Sequence, residues 1–220
     1  MIILAVSTWG IAIGIGIVLV FFLLVAYVIV QETRAQLYWR KLVDEGDVTA
    51  IQTLVADEVA RWKTARTPKG TEPSLWHGVQ SAELLAVESD GVRLSASAEG
   101  RYGLDSGERR EVSSALKEGM KLTARLADMV MYEIPNVRLP YTRIDIYSTF
   151  RDEQGSSQRC ILSTTCARDV AEGLDWDGLE AEEIVRAFGG RFALDDRGNA
   201  IAIDPVSPAP SVPAAFYRDV

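Results

Sequence analysis

The chain has 220 residues, of which 31 are acidic and 23 basic, and the resulting formal charge of −8 disfavours general attraction to a phosphate backbone. Its 48% apolar content would suit one ordinary soluble domain, yet no charged residue occurs before Glu32. The composition is therefore that of an apolar N-terminal segment joined to an acidic domain, and nucleic acid is not among the expected partners.

Trp9 to Val30 is an uninterrupted run of 22 uncharged residues, in which only Tyr27 carries a polar side-chain group. As a helix it would be about 33 Å long, at about 1.5 Å per residue, enough for a hydrocarbon core of about 30 Å. A cleavable leader fits less well. A basic n-region is missing, the apolar run is roughly twice the usual length, and no small-x-small site closes it before Gln31. Residues 1–30 are thus expected to form a retained transmembrane helix in the cell (inner or plasma) membrane, with the lipid bilayer as the first partner. Arg34, Arg40 and Lys41 follow the span and nothing basic precedes it, which predicts an outside N-terminus and a cytoplasmic C-terminal domain. Trp9 at one end and Tyr27, Tyr38 and Trp39 at the other, with those three basic residues, are the expected membrane-interface anchors. Gly10 and Gly14 form a G-x-x-x-G pair, and Ala12 and Gly16 repeat the spacing. Small residues one turn apart let helices approach closely, so these four predict a packing interface with another transmembrane helix, from a second copy or another subunit.

Residues 31–67 read as juxtamembrane and amphipathic helices, broken at Gly46. Asp47 is the expected N-cap, and Val48, Ile51, Leu54, Val55, Val59 and Trp62 recur at helical spacing. After a turn around Pro68 and Pro73, residues 74–204 are expected to form an α+β domain with a mostly antiparallel sheet built of hairpins and interspersed helices. Asp90-Gly91 between alternating runs is the strongest hairpin signal, and a third strand near Arg109 to Val112 predicts a short meander. Ser114 to Ile134 reads as a helix stopped by Pro135. Tyr141 to Phe150 and Arg159 to Ala167 form a second expected hairpin. Asp177 with Glu180 three residues on predicts a capped helix carrying Ile184, Val185 and Phe188, and Asp195 to Asn199 turns a last small hairpin. Residues 205–220, with Pro205, Pro208, Pro210 and Pro213, form a Pro-rich extended tail.

The chemistry-bearing residues are sparse. The one histidine, His77, reads as a structural or exposed residue in a loop or strand start, since a single imidazole cannot build a multi-histidine metal site. Cys160 and Cys166 alternate onto one strand face with Leu162 and Thr164, about 20 Å apart at about 3.3 Å per residue, so they predict two buried reduced thiols. No Walker, dinucleotide-binding or nucleophile-elbow motif occurs. The acidic group Asp175, Asp177, Glu180, Glu182 and Glu183 reads as ordinary helix-start chemistry. No catalytic, cofactor-binding or metal-ligating residue is nominated, and neither an enzymatic activity nor a cofactor is expected.

An N-terminal anchor followed by strands around Asp90-Gly91-Val92-Arg93-Leu94 and Tyr102 resembles membrane scaffolds of the band-7/flotillin class, which implies a scaffold role. The single-span topology with an outside N-terminus also resembles that of the H subunit of purple bacterial reaction centres. The functional expectation is a non-enzymatic accessory, assembly or scaffold subunit of a membrane complex or homo-oligomer. The alternative is a membrane-tethered domain that binds or senses a small ligand.

Overall fold

The computed structural model describes residues 2–105, 108–152 and 155–205, with side chains from Ile13 onward except Leu104, Asp105, Arg109 and Asp152. Helix α1, Ile2–Asp44, is a single rod in which the apolar run and the charged stretch after it are continuous. It stops because Gly46 takes a left-handed φ of +74°, and the Gly46 and Asp47 amides donate back to Val43 and Leu42 at 2.9 and 3.0 Å. Asp47 then caps α2, Val48–Thr64, its carboxylate accepting from the Thr49 and Ala50 amides at 2.9 and 3.0 Å. The apolar stripe of α2 read from the sequence is buried: Ile51, Val55, Val59 and Trp62 join the core together with Val43 of α1. That contact ties the long rod to the domain.

Pro73–Gln80 forms α3, where the sequence suggested a loop or strand start. Pro sits in the first turn, where its missing N–H would have no helical partner. The Trp76 indole donates to the Ala65 carbonyl at 3.1 Å, closing the turn between α2 and α3.

The main sheet has four strands, β1 Glu83–Val87, β2 Gly91–Ser97, β5 Tyr141–Asp152 and β6 Gly155–Ala167, in the order β1-β2-β5-β6. The β1–β2 and β5–β6 hairpins are antiparallel, as the turn residues predict. The expected three-stranded meander is not formed. Strands β3, Arg101–Asp105, and β4, Glu108–Ser113, pair only with each other, and the free edge of β2 pairs in parallel with β5. Parallel neighbours need a long crossover, and here it carries α4, Ala115–Asp128. Ser114 caps α4, and a π-helical turn, Met129–Glu133, carries the chain out ahead of Pro135.

Helix α4 covers one sheet face. Leu116, Met120, Leu122 and Leu126 pack into a core shared with Val92, Leu94, Ile144, Ile146 and Leu162. Gly119 belongs in this helix for a packing reason, because a Cβ there would come within 3.1 Å of Ile146. Beyond the short α5, Arg168–Glu172, helix α6 spans Ala181–Ala187. Its N-cap is Glu180, in a capping box with Glu183, and not the Asp177 read from the sequence. The preceding turn belongs to Asp175, whose carboxylate accepts from the Gly178 amide. The last hairpin, β7 Ala193–Leu194 with β8 Ala200–Ile201, follows a bridge in which Arg191 and Ser163 exchange backbone bonds of 2.9 and 3.0 Å. The chain is therefore α+β, with a long apolar N-terminal helix and a mostly antiparallel sheet. Of the expected tail, residues 206–220 lie outside the described residues.

Candidate functional site

Two features stand out as candidates: the uncovered length of α1 and the sheet face turned away from α4. Helix α1 is long and apolar enough to cross a bilayer, and every side chain from Ile13 to Val30 is exposed. A Cβ added at Gly14 or Gly16 would meet nothing within 4 Å. Gly10, Ala12 and Trp9 are helical, and their side chains lie outside the described set. At about 100° per residue the Gly10–Gly14 pair sits about 200° around the helix from the Ala12–Gly16 pair. The small residues thus make two shallow patches on nearly opposite sides, not one stripe.

Of the expected anchors at the C-terminal end, Tyr27 lies inside the apolar run and the others follow it. Tyr27 and Tyr38 are exposed, and Tyr38 meets the half-buried Trp39 edge-on with ring centres 6.0 Å apart. Gln31 donates to the Tyr27 hydroxyl at 3.0 Å. Arg34, Arg40 and Lys41 are exposed, with Lys41 3.7 Å from Glu45.

The second face of the sheet is polar, and it contains the most buried charge in the domain. Asp145 on β5 is wholly buried. Arg93 Nε donates to its Oδ2 at 2.6 Å, and the Ser163 hydroxyl donates to Oδ1 at 2.5 Å. Arg143, also buried, places its Nε 3.7 Å from Oδ1. The register explains the group: Arg93 pairs with Arg143 across the parallel β2–β5 ladder, and Asp145 pairs with Ser163 across β5–β6. With both carboxylate oxygens engaged, Asp145 ties three strands together and is not aimed at a ligand as a base.

Cys160 joins this polar face, against the expectation that it shares a face with Cys166. The register slips between Ile146 and Tyr147, so Leu162 faces Ile146 while Cys160 faces Tyr147. One extra residue in a period-two strand moves a side chain to the other face. Both cysteines are free and buried. Burial, with the Asp145 carboxylate beside it, pushes the Cys160 thiol up to about 11. The thiol is neutral at physiological pH and so is not an activated nucleophile. Burial also raises Tyr147, with Cys160 and Asp145 adding to the effect.

Where β2 and β5 begin, Glu88, Gly91, Arg93, Tyr141, Arg143 and Thr165 line a pocket of about 180 Å³. The Tyr141 ring lies directly over Gly91, where a Cβ would come within 2.2 Å of it. Its hydroxyl donates to Glu88, and burial followed by that bond raises the tyrosine. Ala86 and Val92 complete the lining, so the cavity sets apolar side chains beside Arg93, Arg143 and the Glu88 carboxylate.

His77 lies on α3 and lines a separate open pocket of about 320 Å³ with Ser81, Glu99, Arg101 and Glu118. Next to it Arg101 pairs with Glu72 and lies 3.3 Å from Glu118, while Lys121 reaches the same two carboxylates at 3.5 and 3.1 Å. This network staples α3, β3 and α4 at the surface. In the acidic group near α6, Asp175, Glu180 and Glu183 serve the turn and cap, and Glu182 pairs with Arg186 at 2.6 Å. Among the described residues no group of three or more His, Cys, Asp or Glu is placed to hold a metal ion.

Sequence reasoning missed the Arg93–Asp145–Ser163 group because its members lie on three strands. The visible signal was the alternation of Arg143, Asp145 and Tyr147 along β5. No protein-family model matches the chain, and no curated protein or solved structure shows significant similarity to it.

Proposed function

We propose that the protein is a single-pass membrane protein whose α+β domain works by contact, as a non-enzymatic accessory, assembly or scaffold subunit of a membrane complex or homo-oligomer. One observation carries this reading: an apolar rod, uncovered from Ile13 to Val30, is anchored in the domain core through Val43. In water so many exposed apolar side chains on one helix would drive aggregation, and a bilayer removes that penalty. The basic residues Arg34, Arg40 and Lys41 support a cytoplasmic domain with the N-terminus outside. The small-residue patches favour a partner helix. Cross-linking in mild detergent tests the contact: the natural chain is expected to capture a copy or another subunit, and Gly10→Ile with Gly14→Ile to lose it. A chain that stays monomeric throughout overturns helix-mediated assembly, and release by alkaline carbonate overturns the membrane placement.

A second reading is a membrane-tethered binding or sensor domain, favoured by the pocket beside Arg93 and Arg143 at the start of β2 and β5. Ligand-dependent melting in a screen of small anions would support it, and a flat response would remove it.

A further inference from the structure

Three arginines from three separate stretches of chain line one open pocket of about 290 Å³: Arg40 near the end of α1, Arg138 in the loop before β5, and Arg168 at the start of α5. Its wall is the exit from the π-helical turn, where Asn136 holds a left-handed φ of +64°. Arg168 is fixed in place. Its Nε donates to the Leu139 carbonyl at 2.9 Å, its Nη2 donates to the Met131 carbonyl at 3.0 Å, and its guanidinium sits 5.8 Å from the Tyr132 ring centre. These bonds use two of a guanidinium's roughly five N–H donors, leaving others for an incoming acceptor. Arg138 approaches Glu172 at 3.9 Å, with both side chains mostly exposed, a pairing worth little in water. Burial lowers the Arg168 pKa; Tyr132 opposes that shift, the Arg138 charge adds to it, and the Glu172 carboxylate opposes it. In a chain of net charge −8, three arginines around one pocket, opposed by Glu172, are a local excess of positive charge that an anion would relieve.

The position of the pocket suggests which anion. Arg40 lies ten residues beyond Val30, about 15 Å along the helix, and headgroups extend roughly 5–8 Å past the hydrocarbon. An arginine side chain reaching back toward the bilayer spans much of the difference. Guanidinium groups bind phosphate oxygens bidentately, and the cytoplasmic leaflet is rich in anionic lipid. We propose that the Arg40–Arg138–Arg168 pocket binds a phosphate group, supplied by an anionic lipid headgroup of the leaflet next to the domain. The lipid source rests on the membrane reading above, whereas the phosphate chemistry does not.

Native mass spectrometry of the full chain in nonionic detergent, titrated separately with phosphatidylglycerol and phosphatidylcholine, tests it. The expected result is retained phosphatidylglycerol on the natural chain, bound at least about tenfold more weakly by Arg40→Gln with Arg138→Gln. Phosphatidylcholine should bind both chains equally. Both arginines are exposed, so the variant should melt like the natural chain, and Arg40→Lys with Arg138→Lys should recover part of the binding. Equal phosphatidylglycerol retention by natural and glutamine chains would overturn the proposal. Inorganic phosphate is the second arm: protection by phosphate without lipid retention would keep the phosphate site and overturn its lipid source. If carbonate extracts the chain while phosphate still binds in an arginine-dependent way, the membrane reading fails and the pocket stands.

Discussion

Helices α1 and α4 solve opposite problems with similar residue types. α4 is apolar over a broad face that the sheet covers together with α3 and α6: Leu122, which packs beside Gly78 of α3, and Leu126 are essentially inaccessible. α1 is apolar around its whole circumference from Ile13 to Val30, and no other part of the described chain covers it. A one-sided stripe needs a partner surface, and a helix apolar on all sides needs an apolar solvent. The contrast places the domain's packed core at α4 and the sheet, and leaves α1 as an uncovered apolar rod. The polar sheet face is a third arrangement, in which the buried Asp145 carboxylate is paired inside the domain.

The largest expected effect falls on that polar face. Asp145→Leu leaves Arg93 and the buried Arg143 beside an apolar side chain, and removing one partner of a buried ion pair costs about 3–5 kcal/mol. Denaturant unfolding of the chain in detergent should register the loss in the domain transition. A loss below about 1 kcal/mol would mean that the pair is hydrated, and that the two sheet faces differ less than their packing indicates. Leu126→Ala in α4 comes next, at about 2–5 kcal/mol for a truncated core leucine. Comparable tolerance at Leu126 and at Leu23 of α1 would break the comparison between the two helices.

Leu19→Arg tests the other half. A charge near the centre of a span costs about 2.5–3.5 kcal/mol in membrane insertion, so the inserted fraction should fall while the domain's unfolding midpoint stays where it was. A shift in the midpoint with unchanged membrane retention would show that α1 belongs to the domain's core and not to a bilayer.

Much of this architecture was legible from local signals. Asp90-Gly91 announces the first hairpin, Gly46 with Asp47 marks the break between α1 and α2, and Pro135 stops the chain after α4 and its π-helical turn. What stayed hidden depends on distant partners. The parallel pairing of β2 with β5 follows from α4 crossing over the sheet, and no residue of β2 encodes that neighbour. The start of α6 at Glu180 instead of Asp177 was hidden because Asp175 takes the preceding turn. The candidate site was hidden for the same reason: Arg93 and Asp145 are 52 residues apart and meet only once that parallel register exists. The long apolar N-terminal helix could be read because it depends on composition within one element.

The smallest effect concerns Cys160, and it probes whether the polar face is closed. An ordinary thiol titrates near 8.5, and burial beside Asp145 raises this one to about 11. Because the folded value is the higher one, the neutral thiol favours the folded state. That contribution is fully present below the unfolded value and disappears as pH rises from about 8.5 toward about 11. At neutral pH stability should therefore be flat with respect to this group, and alkylation by iodoacetamide should be slow until the chain unfolds. The slip in register that turns Cys160 toward Tyr147 and Asp145 makes it report on this face, whereas Cys166 reports on the face under α4. Asp145→Leu should accelerate labelling of Cys160 well before Cys166, and simultaneous labelling of both would mean that the two faces open as one unit.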